Sequence, residues 1–454
     1  MAETGNLWPE LDRVPQPPEG VPVPPDAVGV TQYTPMQAAM AWARKLGPIY
    51  ATAGAGFEMV VVSGADLVAE LSDEARFAKH VGFGIDAFRP VTGDGLFTAY
   101  NDEPNWRLAH DVLGPAFSRE AMERYHDGML TTVGRLLEYW DARCGADPVD
   151  VVDDATKLAL ETIGRVGFGY DFDSFSRDGL HPLVAAMMET LQYSMMPPDA
   201  QQAGASENDR KIKYMHDLVD EVVATRGTSG GDHADLLHAM LDSADAKGEK
   251  LTPENIRFQI LTFLIAGYGT SAGMLSFALY FLSTHPDVLK RAVAEVDEVL
   301  GDGEAPTYET LAKLRYVRRV LDEALRLWPP TPGFMREALQ DTSIGGHPMR
   351  KGAWALVLVP MLHRDPVWGG DAEAFDPDRF LPEANRARAP HSYKPFGTGA
   401  RACIGRQFAQ HEATLALALI LRRYRIQGAP GYELAIREAG FFMPDGFTLA
   451  LDRR

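Results

Sequence analysis

Between positions 256 and 283 the chain carries a single charged side chain, Arg257. An apolar run of that length can be hidden in two ways, across a bilayer or through the middle of a large core. Gly269-Thr-Ser-Ala-Gly273 even has the small-residue spacing with which membrane helices pair. Against a membrane stand the polar side chains of Gln259, Thr262, Tyr268, Thr270 and Ser271, and the absence of basic residues at the far end. No second run of this kind occurs. The run is therefore predicted to be a helix buried through a globular domain, with Thr252-Pro-Glu-Asn255 as its cap and first turn. A helix that is apolar all round needs other elements on every side. At 454 residues, 46% of them hydrophobic, the chain has the material to wrap it.

No internal repeat and no linker-like break is visible, so residues 1–454 are predicted to be one large helical domain without a fused second enzyme. The proline-rich opening, with Pro9, Pro15, Pro17, Pro18, Pro22, Pro24 and Pro25, reads as an extended arm over 1–30. The segments 195–206 and 226–232 read as loops. A net charge of −19 argues against nucleic acid or an anionic membrane as a partner. Two cysteines, Cys144 and Cys403, make no disulfide framework and point to a reducing compartment. With no signal peptide and no anchor helix before the arm, a cytoplasmic protein is expected.

The second constraint is chemical. Phe396-Gly-Thr-Gly-Ala-Arg-Ala-Cys-Ile-Gly405 sets one thiol in a glycine-rich loop, directly ahead of a helical pattern that starts at Arg406. A helix N-terminus and the nearby Arg401 both favour thiolate over thiol at Cys403. Gly397, Gly399 and Gly405 let backbone turn tightly and approach a flat ligand. A thiolate presented in this way suits an axial haem ligand. Cys144, at a helix end, reads as a bystander. His411-Glu-Ala-Thr-Leu415 begins like a zinc-protease helix but has Leu415 where the second histidine belongs. His363-Arg-Asp365 mimics a kinase loop with no partner motif. Ala53-Gly-Ala-Gly-Phe57 falls short of a dinucleotide fingerprint, so no flavin or nicotinamide module is visible.

Phe-x-x-Gly-x-Arg-x-Cys-x-Gly resembles the haem-binding loop of the cytochrome P450 family. Glu323 and Arg326, three apart on a helix, followed by Arg379 in Phe375-Asp-Pro-Asp-Arg-Phe380, resemble the family's Glu/Arg/Arg network in order and spacing. The resemblance implies a mainly α fold with small β-sheets, with haem b held between a long central helix and the cysteine-loop helix. It assigns Cys403 to the iron, Phe396, Gly397, Arg401 and Gly405 to the haem loop, and Glu323, Arg326 and Arg379 to a structural lock. Ala266-Gly-Tyr-Gly-Thr-Ser-Ala-Gly273 resembles the oxygen-binding stretch. Thr270 would assist proton delivery there, in a groove opened by the glycines beside Ala266. Gly269 departs from the pattern, standing where the family usually keeps an acidic residue. Trp106, His110, Lys79, Arg401 and, less strongly, Arg336 match positions that contact the haem propionates.

The likeness runs from Leu46 to the C-terminus and is nearest to the haem domain of bacterial self-sufficient fatty-acid hydroxylases. It implies a haem-thiolate monooxygenase acting on a lipophilic small molecule. Phe97 would control the reacting end of the substrate, with Thr331, Gly333, Phe334, Ile85 and Phe88 lining the pocket and Met187, Met188, Met195 and Met196 roofing it. The arginine and tyrosine that anchor a fatty-acid carboxylate in those relatives are replaced here by Phe57 and Val61. An acyl derivative, a neutral lipophile or a specialised metabolite competes with the free acid. Since the chain stops at Arg454, electrons are expected from a separate ferredoxin or flavodoxin with its reductase. A basic cluster of Lys394, Arg401, Arg406, Arg422, Arg423 and Arg425 is expected to dock such an acidic donor. Two other readings are a peroxide-dependent haem enzyme, suggested by Gly269, and a non-catalytic haem sensor.

Overall fold

In the computed structural model the apolar run lies within one unbroken helix, Pro253–Thr284, termed the central helix. Thr252 caps it, its hydroxyl accepting from Asn255 N–H at 3.1 Å, and Pro253 occupies the first turn where no N–H is needed. Its most apolar stretch has a mean hydropathy of 1.4 and is 83% buried. That is the signature of a core helix. The structure describes residues 7–454 except 20, 25–33, 55, 56, 83, 195, 197, 229–234, 302 and 304. It is mainly helical with small sheets, and divides into two compact units.

The larger unit comprises Val81–Leu321, Ile404–Tyr432 and Gly446–Arg454. The helices Val151–Thr162, Arg406–Arg423 and Pro198–Thr228 pack on the central helix. Arg119–Asp141 packs on the first two of these. Trp140, fully buried on that helix, donates through Nε1 to Asp154 at 2.8 Å, so a large side chain enters the core with its one polar atom satisfied. A three-stranded antiparallel sheet joins Val149–Asp150, Thr448–Arg453 and Tyr424–Gly428. The Arg406–Arg423 helix buries three polar residues, His411, Thr414 and Glu412, and the last is sealed beside the Thr162 and Ser271 hydroxyls.

The smaller unit comprises Met1–His80, Asp322–Cys403 and Glu433–Asp445. Its five-stranded sheet runs in the order Ile49–Gly54, Phe57–Val62, Trp354–Leu358, Gly333–Ala338, Phe77–Lys79. Only the contact between Phe57–Val62 and Trp354–Leu358 is parallel. Val60, Val62, Phe77, Ala355 and Val357 form its core. The arm is more than extended chain. Leu11–Arg13 makes a 3-10 turn, Trp8 and Val14 are buried in the same core, and Ala51 N–H donates to Pro15 O at 2.8 Å.

The loop expected over 195–206 is corrected. A helix begins at Pro198 and runs to Thr228, so it also absorbs the start of the loop expected over 226–232. Two prolines signal a turn, but Pro198 stands at the helix start and the following Asp-Ala-Gln-Gln-Ala favours helix. The lone Gly204 takes the ring of Tyr193 against it, and Tyr193 OH donates to Gln201 O at 2.8 Å.

Burial pushes the Glu412 carboxyl up to about 7, with the Thr162 and Ser271 hydroxyls pulling the other way. A carboxyl raised in the folded state stabilises while it is neutral, and that contribution is lost as pH rises through 7. Glu412→Gln is therefore expected to keep roughly 2–3 kcal/mol that the native chain loses between pH 5 and pH 8. Urea unfolding midpoints of both proteins across that range measure it. Parallel profiles would mean that Glu412 is not buried as an acid.

Candidate functional site

In the smaller unit the candidate residues are arranged around one buried carboxylate. Glu323 and Arg326 share a face of the helix Arg315–Leu327 and are fully buried. Arg326 donates to both Glu323 oxygens, Nε to Oε2 at 2.6 Å and Nη2 to Oε1 at 2.8 Å. Its remaining donors reach the carbonyls of His363, Ala372 and Ala374 at 2.7–2.9 Å. Asp376 N–H donates to Glu323 Oε1 at 2.8 Å, and Arg379 Nε stands 3.5 Å from the same oxygen. Arg379 also donates to the carbonyls of Trp368 and Asp371 at 2.7 and 2.8 Å. Burial pushes the Glu323 carboxyl up, and the two guanidiniums and the Asp376 N–H oppose that shift. The donors satisfy what burial takes away, and the segment 363–379 is pinned to one helix.

His363 carries that order to the cysteine loop. Its Nδ1–H donates to Arg326 O at 3.0 Å and its Nε2 accepts from Lys394 N–H at 2.9 Å. A backbone N–H can only donate, so the tautomer is fixed. Burial, with Arg326 and Arg364 nearby, drops the imidazole to about 3 and keeps it a neutral acceptor. From Lys394 the loop closes on itself, Gly397 N–H to Lys394 O at 3.1 Å and Cys403 N–H to Phe396 O at 2.9 Å. Gly397 and Gly399 take φ of 75° and 68°, the left-handed region open to glycine. The loop has a second tether in the turn that follows the helix Ala65–Leu71. Ala400 N–H donates to Glu74 Oε1 at 2.7 Å and the Thr398 and Ser72 hydroxyls meet at 3.2 Å. A Cβ on Gly399 would stand 2.4 Å from Glu74 Oε1. The Cys403 thiol is exposed.

Whether a haem fits is decided by the donor set. Burial and the positive charge of Arg401 hold the Lys79 ammonium low. A carboxylate beside Lys79 would offset that burial and favour its charged form. Arg336, 2% exposed, donates instead to Leu71 O and Phe77 O at 2.9 and 2.8 Å, so these two donors serve the sheet. On the larger unit, Trp106 and His110 share a face of the helix Pro104–Leu113, with ring centroids 5.2 Å apart. His110 Nδ1 is buried without a hydrogen bond among the described residues, and Asp111 Oδ1 stands 3.7 Å away. Within the smaller unit, a thiol on a glycine-turned loop and a buried ammonium near Arg401 suit an iron porphyrin with acidic edge groups.

The larger unit's other candidate residues lie on the central helix and on the segment before Pro104. Thr270 Oγ1 donates to Ala266 O at 2.7 Å, Ala266 is exposed and Gly269 buried. The expected groove is not opened by a break in the helix, because the backbone is helical throughout 253–284 and the threonine bonds back onto its own turn. Phe97 is exposed, Ile85 and Phe88 half-buried. In the smaller unit Thr331 is exposed and Gly333 and Phe334 are half-buried at the start of a strand. Met187 is buried, Met188 half-buried and Met196 exposed. The expectation for Met195 falls outside the described residues, as does that for the Phe57 side chain. Val61 is buried in the sheet.

The basic cluster is not one patch. Arg406 begins an 18-residue helix that Arg422 and Arg423 end, which sets them about 24 Å apart along its axis. Arg423 is engaged with Asp141. Sequence reading missed His363, set aside as a kinase look-alike, and Glu74. Their roles come from carbonyls and N–H groups far away in the chain, which no local pattern announces.

The cytochrome P450 family profile matches residues 15–445. A bifunctional cytochrome P450/NADPH–P450 reductase of Bacillus subtilis is 44% identical over 91% of this chain and 40% of its own length. One from Bacillus cereus is 43% identical over 90% of this chain and 39% of its own. A self-sufficient cytochrome P450 monooxygenase of Phanerodontia chrysosporium is 35% identical over 96% and 42%. The chain thus spans about two fifths of the length of these relatives.

His363→Leu is expected to leave Lys394 N–H buried without its acceptor and to lower unfolding free energy by about 1–3 kcal/mol. Arg326→Lys, which loses the two-pronged bond and strands Glu323, is expected to lose about 3–5 kcal/mol. Urea unfolding compares the two, and a milder effect from Arg326→Lys than from His363→Leu would reverse the order of dependence described above.

Proposed function

The chain belongs to the cytochrome P450 family, and on that premise we propose that it is a haem-thiolate monooxygenase acting on a lipophilic small molecule. The cysteine loop carries this reading, a thiol held by three independent tethers at Lys394, Thr398 and Ala400. Haem b bound through a thiolate supplies the activation of dioxygen by which one oxygen atom enters a C–H bond. Cys403 is the iron ligand. Arg401, Lys79, Trp106 and His110 hold the propionates, with Arg336 stiffening the strand that carries Lys79 through its bond to Phe77 O. Phe97 orients the reacting carbon, helped by Thr331, Gly333, Phe334, Ile85 and Phe88.

Thr270 holds a proton at Oγ1, now directed to Ala266 O. To pass it on, the hydroxyl turns about its χ1 bond and gives up that carbonyl. Gly269 offers no carboxylate to refill it, so the next donor is water or a substrate group. The electron source is a P450 reductase of the kind named in the Bacillus relatives, whether on the same polypeptide or separate. The expectation of a separate ferredoxin or flavodoxin rested on chain length, and relatives that run on past the matched region remove that footing.

The substrate class follows from the missing anchor. Val61 is a buried hydrocarbon where the related hydroxylases place a phenol, so a long acyl chain with a masked or neutral head is favoured over the free acid. A titration of the ferric protein with a long-chain fatty acid and with its methyl ester, followed by the haem absorption shift, decides this. The ester is expected to shift the spectrum at lower concentration, and preference for the acid would reveal another cation at the channel mouth.

Cys403→Ser is expected to abolish the thiolate signature of the reduced carbon monoxide complex, and an unchanged spectrum would remove Cys403 as ligand. Thr270→Ala is expected to raise donor oxidation without product severalfold. Unchanged coupling would route protons elsewhere.

A further inference from the structure

Within the larger unit, a short chain of side-chain hydrogen bonds joins the central helix to the segment that carries Phe97. Asn255 and Gln259 lie one turn apart, 2% and 0% exposed. Leu96 N–H donates to Gln259 Oε1 at 3.0 Å, and Gln259 Nε2–H donates to Asn255 Oδ1 at 3.0 Å. Asn255 Nδ2–H then donates to Asp94 Oδ1 at 2.7 Å, while Asp94 Oδ2 accepts from Asn105 Nδ2 at 2.6 Å. The direction of this chain is set at both ends. A backbone N–H can only donate and a carboxylate can only accept, so each amide has one workable orientation.

The backbone between these bonds has no freedom of its own. A Cβ on Gly93 would stand 2.2 Å from the Phe258 ring, and one on Gly95 would stand 2.5 Å from Thr262 Oγ1 and 2.9 Å from Thr92 O. Residues 93–96 are thus pressed against the central helix and clipped to it at positions 94 and 96. Downstream, Arg89 donates to Thr98 O at 2.7 Å and grips both Glu103 oxygens at 2.6 and 3.0 Å. Phe97 is the residue between the two restraints, and its side chain is exposed. An apolar contact would tolerate small slides of this loop. Two buried amides do not, because a slide leaves Leu96 N–H or Gln259 Oε1 unpaired.

We propose that Asp94, Asn255 and Gln259 are positioning residues, a clip through which the central helix sets where the Phe97 ring stands and hence how far a substrate chain can enter. The proposal rests on the reading of Phe97 as a substrate-controlling residue. Gln259→Leu removes both of its bonds at nearly constant volume, and Asp94→Asn is the milder second variant.

The test uses the haem-loaded protein and two measurements, amide hydrogen exchange over 93–97 and the affinity for 4-phenylimidazole read from the ferric spectrum. That probe is chosen because an iron-bound imidazole would carry its phenyl ring toward the space assigned above to Phe97. Gln259→Leu is expected to speed exchange over 93–97 roughly tenfold, leaving the rest of the central helix unchanged. It is expected to change the probe's Kd about threefold or more when Phe97 is present, and to add almost nothing when Phe97 is already Ala. An equal change in both backgrounds, or unaltered exchange, overturns the proposal. If Phe97→Ala by itself leaves the Kd unchanged, the reading of Phe97 falls and takes the proposal with it. If Phe97→Ala shifts the Kd while Gln259→Leu does not, only the clip is wrong. Should Gln259→Leu fail to load haem, Asp94→Asn is judged by the same outcomes.

Discussion

One carboxylate inside the smaller unit, Glu323, decides how the rest of its machinery is arranged. It is buried, so it exists only with its donors, and those donors are Arg326, Arg379 and the N–H of Asp376. Each donor brings chain with it. Arg326 gathers the carbonyls of His363, Ala372 and Ala374, and Arg379 those of Trp368 and Asp371. The irregular segment 363–379 is fixed through one helix face without a disulfide. Such networks are poor sources of net stability against an apolar alternative, and their value is a single register. Here the register is passed on by His363, whose neutral ring connects Arg326 O to the N–H that opens the cysteine loop.

The loop itself shows the same logic at smaller scale. Glycine at 399 is required twice, by a left-handed backbone and by the Glu74 oxygen that lies where a Cβ would be. Glu74 binds Ala400 N–H because no side chain stands between them. The conformation that exposes Cys403 is therefore held from outside the loop as well as by its own Cys403–Phe396 bond.

Much of this was legible in the sequence. The central helix followed from charge depletion and a Thr-Pro cap, and both hold to within a residue or two. Glu323, Arg326 and Arg379 were singled out by the resemblance, and Glu323 stands 2.6 Å from Arg326 and 3.5 Å from Arg379. What was not legible depends on partners that local pattern does not carry. His363 looked like noise because its partners lie 37 and 31 residues away. Asn255 and Gln259 were read only as polar residues that argue against a membrane, with no hint of what they bind. The six clustered arginines and lysines failed for the opposite reason, since neighbours in sequence were taken for neighbours in space across a full helix. The helix starting at Pro198 shows proline read as a stop where it marks a start.

The central helix also constrains how the chain can be made. It is complete at Thr284, but one of the helices that cover it, Arg406–Arg423, leaves the ribosome only after about 120 more residues. At ordinary translation speeds that is an interval of roughly 6–24 s. During that time part of a thirty-residue surface, long and apolar enough to cross a membrane, has no permanent cover. The side chains of Gln259, Thr262, Tyr268, Thr270 and Ser271 make that surface less uniformly apolar than a lipid-facing helix would be.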